Sequence, residues 1–148
     1  MIQELDKTDF FKGIVSDPAE NTEKDMQLVQ DMIDTMIYLR EKGKDEGFAM
    51  TANMIGVNKR IMIFYDVWEP YIVINPAVID KEEFLTPEEL EKERAAAQRD
   101  DEMRDFRLYH SHIALEYYNE KWEKKRTLFR NMYGEIMELL DRLDGIFP

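Results

Sequence analysis

Apolar residues recur at helical spacing in two parts of the chain. From Thr22 they form one stripe, and Gly43 is placed to end that helix. From about Met132 a second stripe runs to Gly145, which is placed to end the last helix. The stripe residues are Met26, Val29, Ile33, Met36 and Ile37 in the first helix, and Met132, Ile136, Leu139, Leu140 and Leu143 in the last.

A third helix is predicted from its start signal. Thr86 is a typical N-cap residue, a proline follows at the first helical position, and Glu89 stands three residues after the cap. The helix is expected to cover about residues 86–106. Its apolar stripe is thin, chiefly Leu90, Met103, Phe106 and the alanines, so we expect it to lie on the surface.

Four short runs are rich in β-branched and aromatic residues and predict strands. They are residues 60–65, 71–74, 113–118 and 125–129. Asn75-Pro76 is expected to stop the second strand, because proline donates no hydrogen bond to a sheet. Short polar or turn segments at 67–70 and 119–124 predict two hairpins, and residues 47–56 are predicted to be a loop. The order of elements favours one α+β domain over 1–148, with an antiparallel or mixed sheet.

Charge and composition exclude several classes of function. The chain has 32 acidic and 20 basic residues, a formal charge of -12, which argues against nucleic acid and membrane surfaces as partners. It has no cysteine, which excludes disulfides and thiolate metal sites. The first ten residues lack the apolar core of a signal peptide, and no run is long enough to span a membrane. We therefore expect a cytoplasmic protein.

Several segments together resemble the peptide deformylase family. Ala49-Met-Thr-Ala-Asn-Met-Ile-Gly56 resembles its first motif, Gly-(Leu/Met)-Ala-Ala-x-Gln-x-Gly, and Val73-Ile-Asn-Pro76 resembles a later element. Residues 113–129 resemble its hairpin, including Trp122 in the turn. Residues 138–146 align with its last motif, His-Glu-x-x-His-Leu-x-Gly-Ile. The resemblance leaves out residues 81 to about 105 and implies the family's α+β fold with a central C-terminal helix.

The resemblance also implies that this chain lacks the family's chemistry. Members hold a metal ion with two histidines and a cysteine, and the ion activates water for hydrolysis of the formyl group. The two histidine positions are Glu138 and Arg142 here, and a guanidinium repels a metal ion. Leu139 replaces the acid/base glutamate, and Met54 replaces the glutamine that supports the oxyanion. We expect no metal cofactor and no deformylase activity.

The former active-site cleft is predicted to involve six residues. Met54 and Leu139 are apolar where the family is polar, so the cleft is expected either to become a dry pocket or to close, and we favour closure. Glu138 and Arg142 stand at the spacing of a helical ion pair. The helix at 86–106 either plugs the cleft or forms a docking surface. The six residues are Met50, Asn53, Met54, Glu138, Leu139 and Arg142.

Three readings of function stay open from the sequence. The first is an inactive deformylase-like protein that binds a peptide or protein partner. The second is an artificial sequence redesigned on this scaffold, which the clean capping box and the Glu/Lys/Arg/Ala-rich helix would suit. The third is a hydrolase with a rebuilt metal site at His110, His112 and Glu116, although solvent-facing histidines near a strand start are the far more common reason for such a spacing. Ribosome association is not expected, since the sequence ends directly after the last helix without a basic extension.

Overall fold

The first helix, α1, spans Glu23–Glu41 in a computed structural model that describes residues 1–5, 11–98 and 111–147. The Thr22 hydroxyl accepts a hydrogen bond from the Asp25 N–H at 3.2 Å, as expected of the N-cap. Gly43 has φ +72° just past the helix end, which confirms its predicted role. The predicted stripe is confirmed in four of its five residues, which are buried or packed against a buried apolar cluster; the exception is Ile37, which is 42% exposed. The buried residues Leu28 and Met32 were missed.

Five strands form one antiparallel sheet in the order β1-β2-β3-β4-β5. The α+β class and both predicted hairpins are confirmed. The prediction of a loop at 47–56 was wrong in part, because its middle residues pair with β2 as a short edge strand. The strands are β1 (Ala49–Thr51), β2 (Ile61–Asp66), β3 (Glu69–Ile79), β4 (Ile113–Tyr118) and β5 (Lys124–Phe129).

Asn75-Pro76 does not stop β3, contrary to the prediction. The register between β3 and β4 shifts between Ile74 and Ala77, so the strand passes through the proline as an irregularity. Asn75 takes φ +53°, and its side chain bonds the backbone of Ala19 in both directions, at 2.8 and 3.0 Å. These bonds stabilise the irregularity, because they replace ladder bonds with a contact to the segment before α1.

The sheet separates two apolar clusters because successive strand residues face opposite sides. On β2, Ile61 and Ile63 face α1, whereas Met62 and Phe64 face the last helix. That helix, α3, spans Tyr133–Leu143 as predicted. Its buried residues Ile136, Leu139, Leu140 and Leu143 complete the second cluster. A helix therefore covers each face of the sheet.

The end of α3 is fastened to the segment that follows Phe11. The Gly13 N–H donates to the Gly145 carbonyl and the Ser16 N–H to the Leu143 carbonyl, both at 2.8 Å. Gly145 has φ +76°, and a Cβ there would lie 2.5 Å from the Ile14 nitrogen. Only glycine fits this crossing without a shift of the backbone.

The charged helix, α2, spans Pro87–Ala97 and has the predicted capping box between Thr86 and Glu89. None of its described side chains is buried, which confirms that it lies on the surface. The predicted part of this helix beyond residue 98, with Met103 and Phe106, lies outside the described residues. Across the described ranges, no helix combines the length and apolar character that a membrane span requires.

Candidate functional site

An open cleft of about 690 Å³ lies between α3 and the segment around β1. The expectation that the cleft has closed was wrong, because space remains between the two walls. Four of the six predicted residues, Met54, Glu138, Leu139 and Arg142, line it. The other lining residues are Asp45, Glu46, Ala49, Glu135, Asp141, Ile146 and Phe147.

One wall of the cleft is a single face of α3. Glu135, Glu138, Leu139 and Arg142 follow the i, i+3, i+4, i+7 spacing that puts side chains on one side of a helix. The neighbouring face, with Ile136, Leu140 and Leu143, is buried against the sheet. Core packing thus fixes the rotation of α3 and, with it, which side chains reach the cleft.

The facing wall begins with the tight turn Asp45–Gly47. Arg40 of α1 holds this turn: its guanidinium donates to the Gly47 carbonyl at 2.9 Å and lies 4.6 Å from the centre of the Tyr65 ring. A Cβ on Gly47 would lie 2.4 Å from the Arg40 side chain, so the turn packs directly on α1. The carboxylates of Asp45 and Glu46 are therefore presented by an anchored turn.

Met54 stands in the 3-10 turn Ala52–Ile55 that continues this wall. Its sulfur accepts a weak hydrogen bond from the Thr51 N–H at 3.4 Å. A thioether accepts such a bond but donates none, so at this position the wall offers no hydrogen-bond donor to an oxyanion. Ala49 of β1 reaches the cleft because alternate residues of the strand face it.

Met50 and Asn53 do not line the cleft, in contrast to the prediction. Met50 follows Ala49 on β1, so it points to the opposite side and packs, fully buried, in the α1 cluster. Asn53 is 4% exposed and lies behind the wall. Its amide donates to the Arg142 carbonyl at 2.7 Å, and its oxygen accepts from the Thr51 hydroxyl at 2.5 Å. Asn53 is thus a brace between the two walls.

Arg142 makes a different contact from the one predicted. Among the described residues, no salt bridge of 4.0 Å or less joins Arg142 to Glu138. Its guanidinium lies 5.0 Å from the centre of the Phe147 ring, a cation–π contact beyond the end of α3. Arg142 and Phe147 therefore meet in the lining of the cleft, at the C-terminal end of α3.

The walls of the cleft are strongly acidic. Five of the lining side chains are carboxylates, and Arg142 is the one cation among the described lining residues. The other five lining side chains are apolar, and we call them together the apolar floor of the cleft: Ala49, Met54, Leu139, Ile146 and Phe147. Among these described residues the cleft offers acceptors and negative charge, but no imidazole, thiol or hydroxyl that could act as a nucleophile.

His112 and Glu116 are engaged with other side chains, and His110 lies outside the described residues. The His112 Nδ1 accepts from the Asn131 N–H at 3.0 Å, and its Nε2 lies 3.4 Å from Glu89. Glu116 bonds Lys124 at 2.8 Å, and this bond holds the pKa of the Glu116 carboxyl below its usual range. Over the ranges 1–5, 11–98 and 111–147, no three potential ligands converge on a metal position.

Acidic side chains of α2 attach it to residues just beyond the ends of β3, β4 and β5. Glu89 pairs with Arg130 at 2.9 Å, and this bond with the cap at Thr86 lowers the Glu89 pKa to about 2. Glu93 accepts from the His112 N–H at 3.1 Å and from Lys81 at 2.8 Å. None of the described residues of α2 lines the cleft. In its described part the helix docks at the ends of these strands instead of plugging the cleft.

Sequence reasoning missed the acidic and C-terminal lining residues. Glu135 could have been found, because it precedes Glu138 by three residues on the same helix. Asp45 and Glu46 carried no local signal, since the turn reaches the cleft only through its packing on α1. The alignment with the last motif includes Ile146 but does not predict that its side chain lines the cleft. Phe147 lies outside that motif and was not predicted to line the cleft.

The sequence is similar to known peptide deformylases over nearly its whole length. The family model described as polypeptide deformylase matches residues 12–148. A peptide deformylase of Clostridium beijerinckii is 29% identical over 147 residues, which cover 99% of this chain and 98% of that protein.

Solved structures show the same fold. The actinonin-bound class I type b peptide deformylase of Acinetobacter baumannii matches with a TM-score of 0.66, over 99% of this chain and 95% of that one, at 13% identity. A peptide deformylase of Legionella pneumophila matches with a TM-score of 0.65, over 98% of this chain and 82% of that one, at 15% identity. At such identity these likenesses support the architecture alone.

Proposed function

The chain belongs to the polypeptide deformylase family, and from this membership we propose that it is a member without deformylase activity whose cleft binds a peptide or a segment of a protein. One observation carries the proposal: Met54, Glu138, Leu139 and Arg142, which align with functional positions of the family, line one open cleft. The place of the active site is kept, while its reactive groups are exchanged for side chains that bind but do not catalyse.

A catalytic metal ion does not fit the residues in this cleft. The two positions that align with histidine ligands hold a carboxylate and a guanidinium, and Arg142 remains a cation at any physiological pH. The chain has no cysteine for the third ligand. Leu139 cannot transfer a proton. The cleft therefore lacks the metal ligands, the metal-activated water and the acid/base group together.

Peptide binding suits the shape of the site. A cleft of about 690 Å³ lies in the size range of ligand pockets, and its lining combines an apolar surface with charged groups that can orient a ligand. Family membership adds that relatives of the same fold act on peptides. Binding would then use the inherited groove without the inherited reaction.

The test combines metal analysis, turnover and binding on one preparation. We expect less than about 0.1 metal ion per chain after incubation with Fe²⁺, Ni²⁺ or Zn²⁺ and removal of free ion, because no ligand set converges. We also expect no release of formate from a formyl-Met peptide, but saturable binding of some Met-initiated peptide by calorimetry. Stoichiometric metal with turnover would overturn the proposal.

The same measurements separate the other readings. A metal site rebuilt around His112 and Glu116 has little support, since both side chains already contact other residues. If it existed, substitution of His112 would abolish metal uptake. An artificial sequence without a natural ligand would give neither metal uptake nor peptide binding, together with high thermal stability.

A further inference from the structure

The cleft carries negative charge on both walls beside its apolar residues. Asp45 and Glu46 stand on one wall, and Glu135 and Asp141 stand on the other. Within the part of the chain that the structure describes, none of these four carboxylates forms a salt bridge. Like charges that face each other across a groove raise the negative potential inside it, and a cationic ligand relieves the repulsion.

The positions of these carboxylates do not suit a single bound metal ion. No group of three carboxylates or imidazoles within the described ranges is close enough to share one ion. The acidic groups are instead distributed along both walls. Spread carboxylates fit a ligand with several separated positive charges, such as the lysine and arginine side chains of a peptide.

The apolar floor of the cleft requires that the ligand also carry an apolar group. Met54 stands on the same wall as Asp45 and Glu46, Leu139 stands on the α3 wall, and Ile146 and Phe147 extend the apolar surface past the end of α3. Ile146 is 60% exposed, so much of its apolar surface is accessible to a ligand. An apolar side chain of the ligand would cover this surface, and thioether groups adapt readily to different side chains.

We propose that the cleft binds a cationic peptide, with an apolar side chain on the floor and basic side chains against the acidic walls. The inference rests on the proposed function and specifies its ligand class. Charge complementarity selects the occupant: the walls repel acidic peptides and nucleic acid, and the apolar floor favours a peptide over a polyamine.

The first arm of the test compares ligands. The protein is titrated with fluorescently labelled Met-Leu-Lys-Arg-Lys, with Met-Leu-Glu-Asp-Glu, and with spermine as competitor. We expect binding of the basic peptide alone, weakened at least about fivefold between about 0.05 M and about 0.5 M NaCl by screening. Equal binding of both peptides would overturn the inference, as would competition by spermine at the concentration of the peptide.

The second arm changes the walls. Combined Glu46→Gln, Glu135→Gln and Asp141→Asn should weaken binding of the basic peptide about tenfold, because each exposed charge pair contributes modestly. The control combines Glu20→Gln, Glu88→Gln and Glu91→Gln, three carboxylates outside the cleft with the same change in net charge. Equal loss in both variants would mean that overall charge, and not the cleft, attracts the peptide.

The third arm changes the floor. Ile146→Ser should weaken binding about fivefold, and Val78→Ser, at an exposed residue of β3 outside the cleft, should leave it unchanged. Binding of a neutral apolar peptide as tight as that of the basic one would refute the charge preference and leave the proposed function intact. Formate release from a formylated peptide would refute the proposed function itself.

Discussion

Asn53 donates a side-chain hydrogen bond of 2.7 Å to the backbone carbonyl of Arg142, across 89 residues of sequence. This bond joins the 3-10 turn that carries Met54 to the last turn of α3. Both walls of the cleft therefore meet at one buried amide. The carbonyl also accepts from the Gly145 N–H at 3.1 Å, so the same atom fixes the end of the helix.

Replacement of Asn53 should destabilise the connection between the two walls. We expect Asn53→Ala to lower the free energy of unfolding by about 1–3 kcal/mol, because a buried pair of hydrogen bonds is lost and the Thr51 hydroxyl loses its acceptor. Urea denaturation measures the loss.

Asn53→Asp serves as the matched comparison. It keeps an acceptor for Thr51 but puts a carboxylate against the Arg142 carbonyl, so it should destabilise at least as much at neutral pH. If Asn53→Asp were as stable as the wild type there, the amide donor would not hold the walls together.

Gly145 should tolerate alanine far less well than Gly43 does. Both have positive φ, +76° and +72°, so each substitution carries a similar backbone penalty of about 1–2 kcal/mol. A Cβ at Gly145 would also lie 2.5 Å from the Ile14 nitrogen, whereas Gly43 has nothing within 4 Å. We expect Gly145→Ala to cost about 2 kcal/mol more than Gly43→Ala in chemical denaturation. Equal losses would show that the crossing at Ile14 can relax.

Sequence patterns predicted the parts of the fold that local signals encode. The cap at Thr86 and the glycines after α1 and α3 were found, because these residues act within one turn of their own position. The path of β3 through Pro76 was missed, since it depends on bonds between Asn75 and Ala19, 56 residues apart. Edge strand β1 was missed because three residues carry too little periodicity.

In the candidate site too, local sequence signals predicted some residues, and contacts between distant segments determine the others. Motif comparison gave four residues that line the cleft, because they lie at fixed spacing on α3 and in the turn of Met54. It did not give the orientation of Met50, which depends on the pairing register of β1. Nor did it show that Asp45 and Glu46 reach the cleft, which follows from the contact of their turn with Arg40.

Glu89 should make the attachment of α2 sensitive to acid. Its pKa is lowered from 4.5 to about 2, chiefly by Arg130, so its contribution to stability is complete above about pH 4.5 and disappears as the pH falls toward 2. We expect Glu89→Gln to be less stable than the wild type at neutral pH, with the difference vanishing near pH 2. Thermal unfolding across this range measures it. The exposed neighbour variant Glu88→Gln should show no comparable trend, and a difference independent of pH would contradict the ion-pair explanation.

Leu139 offers the sharpest test that the floor of the cleft has become apolar. The side chain is 8% exposed and packs in the core cluster between the sheet and α3. Leu139→Glu should lower the free energy of unfolding by about 2–5 kcal/mol, since it removes apolar packing and buries an acid. Burial would raise the pKa of the new carboxyl in the folded state, so the native state would bind more protons than the unfolded one. The loss should therefore grow as the pH rises from about 5 to about 8.

Leu139→Gln is the matched control, because glutamine has a similar size and does not titrate. Its loss of stability should stay constant over the same pH range. If the two variants followed the same pH profile, water and polar groups would reach this position, and the floor would not be the dry surface on which peptide binding depends.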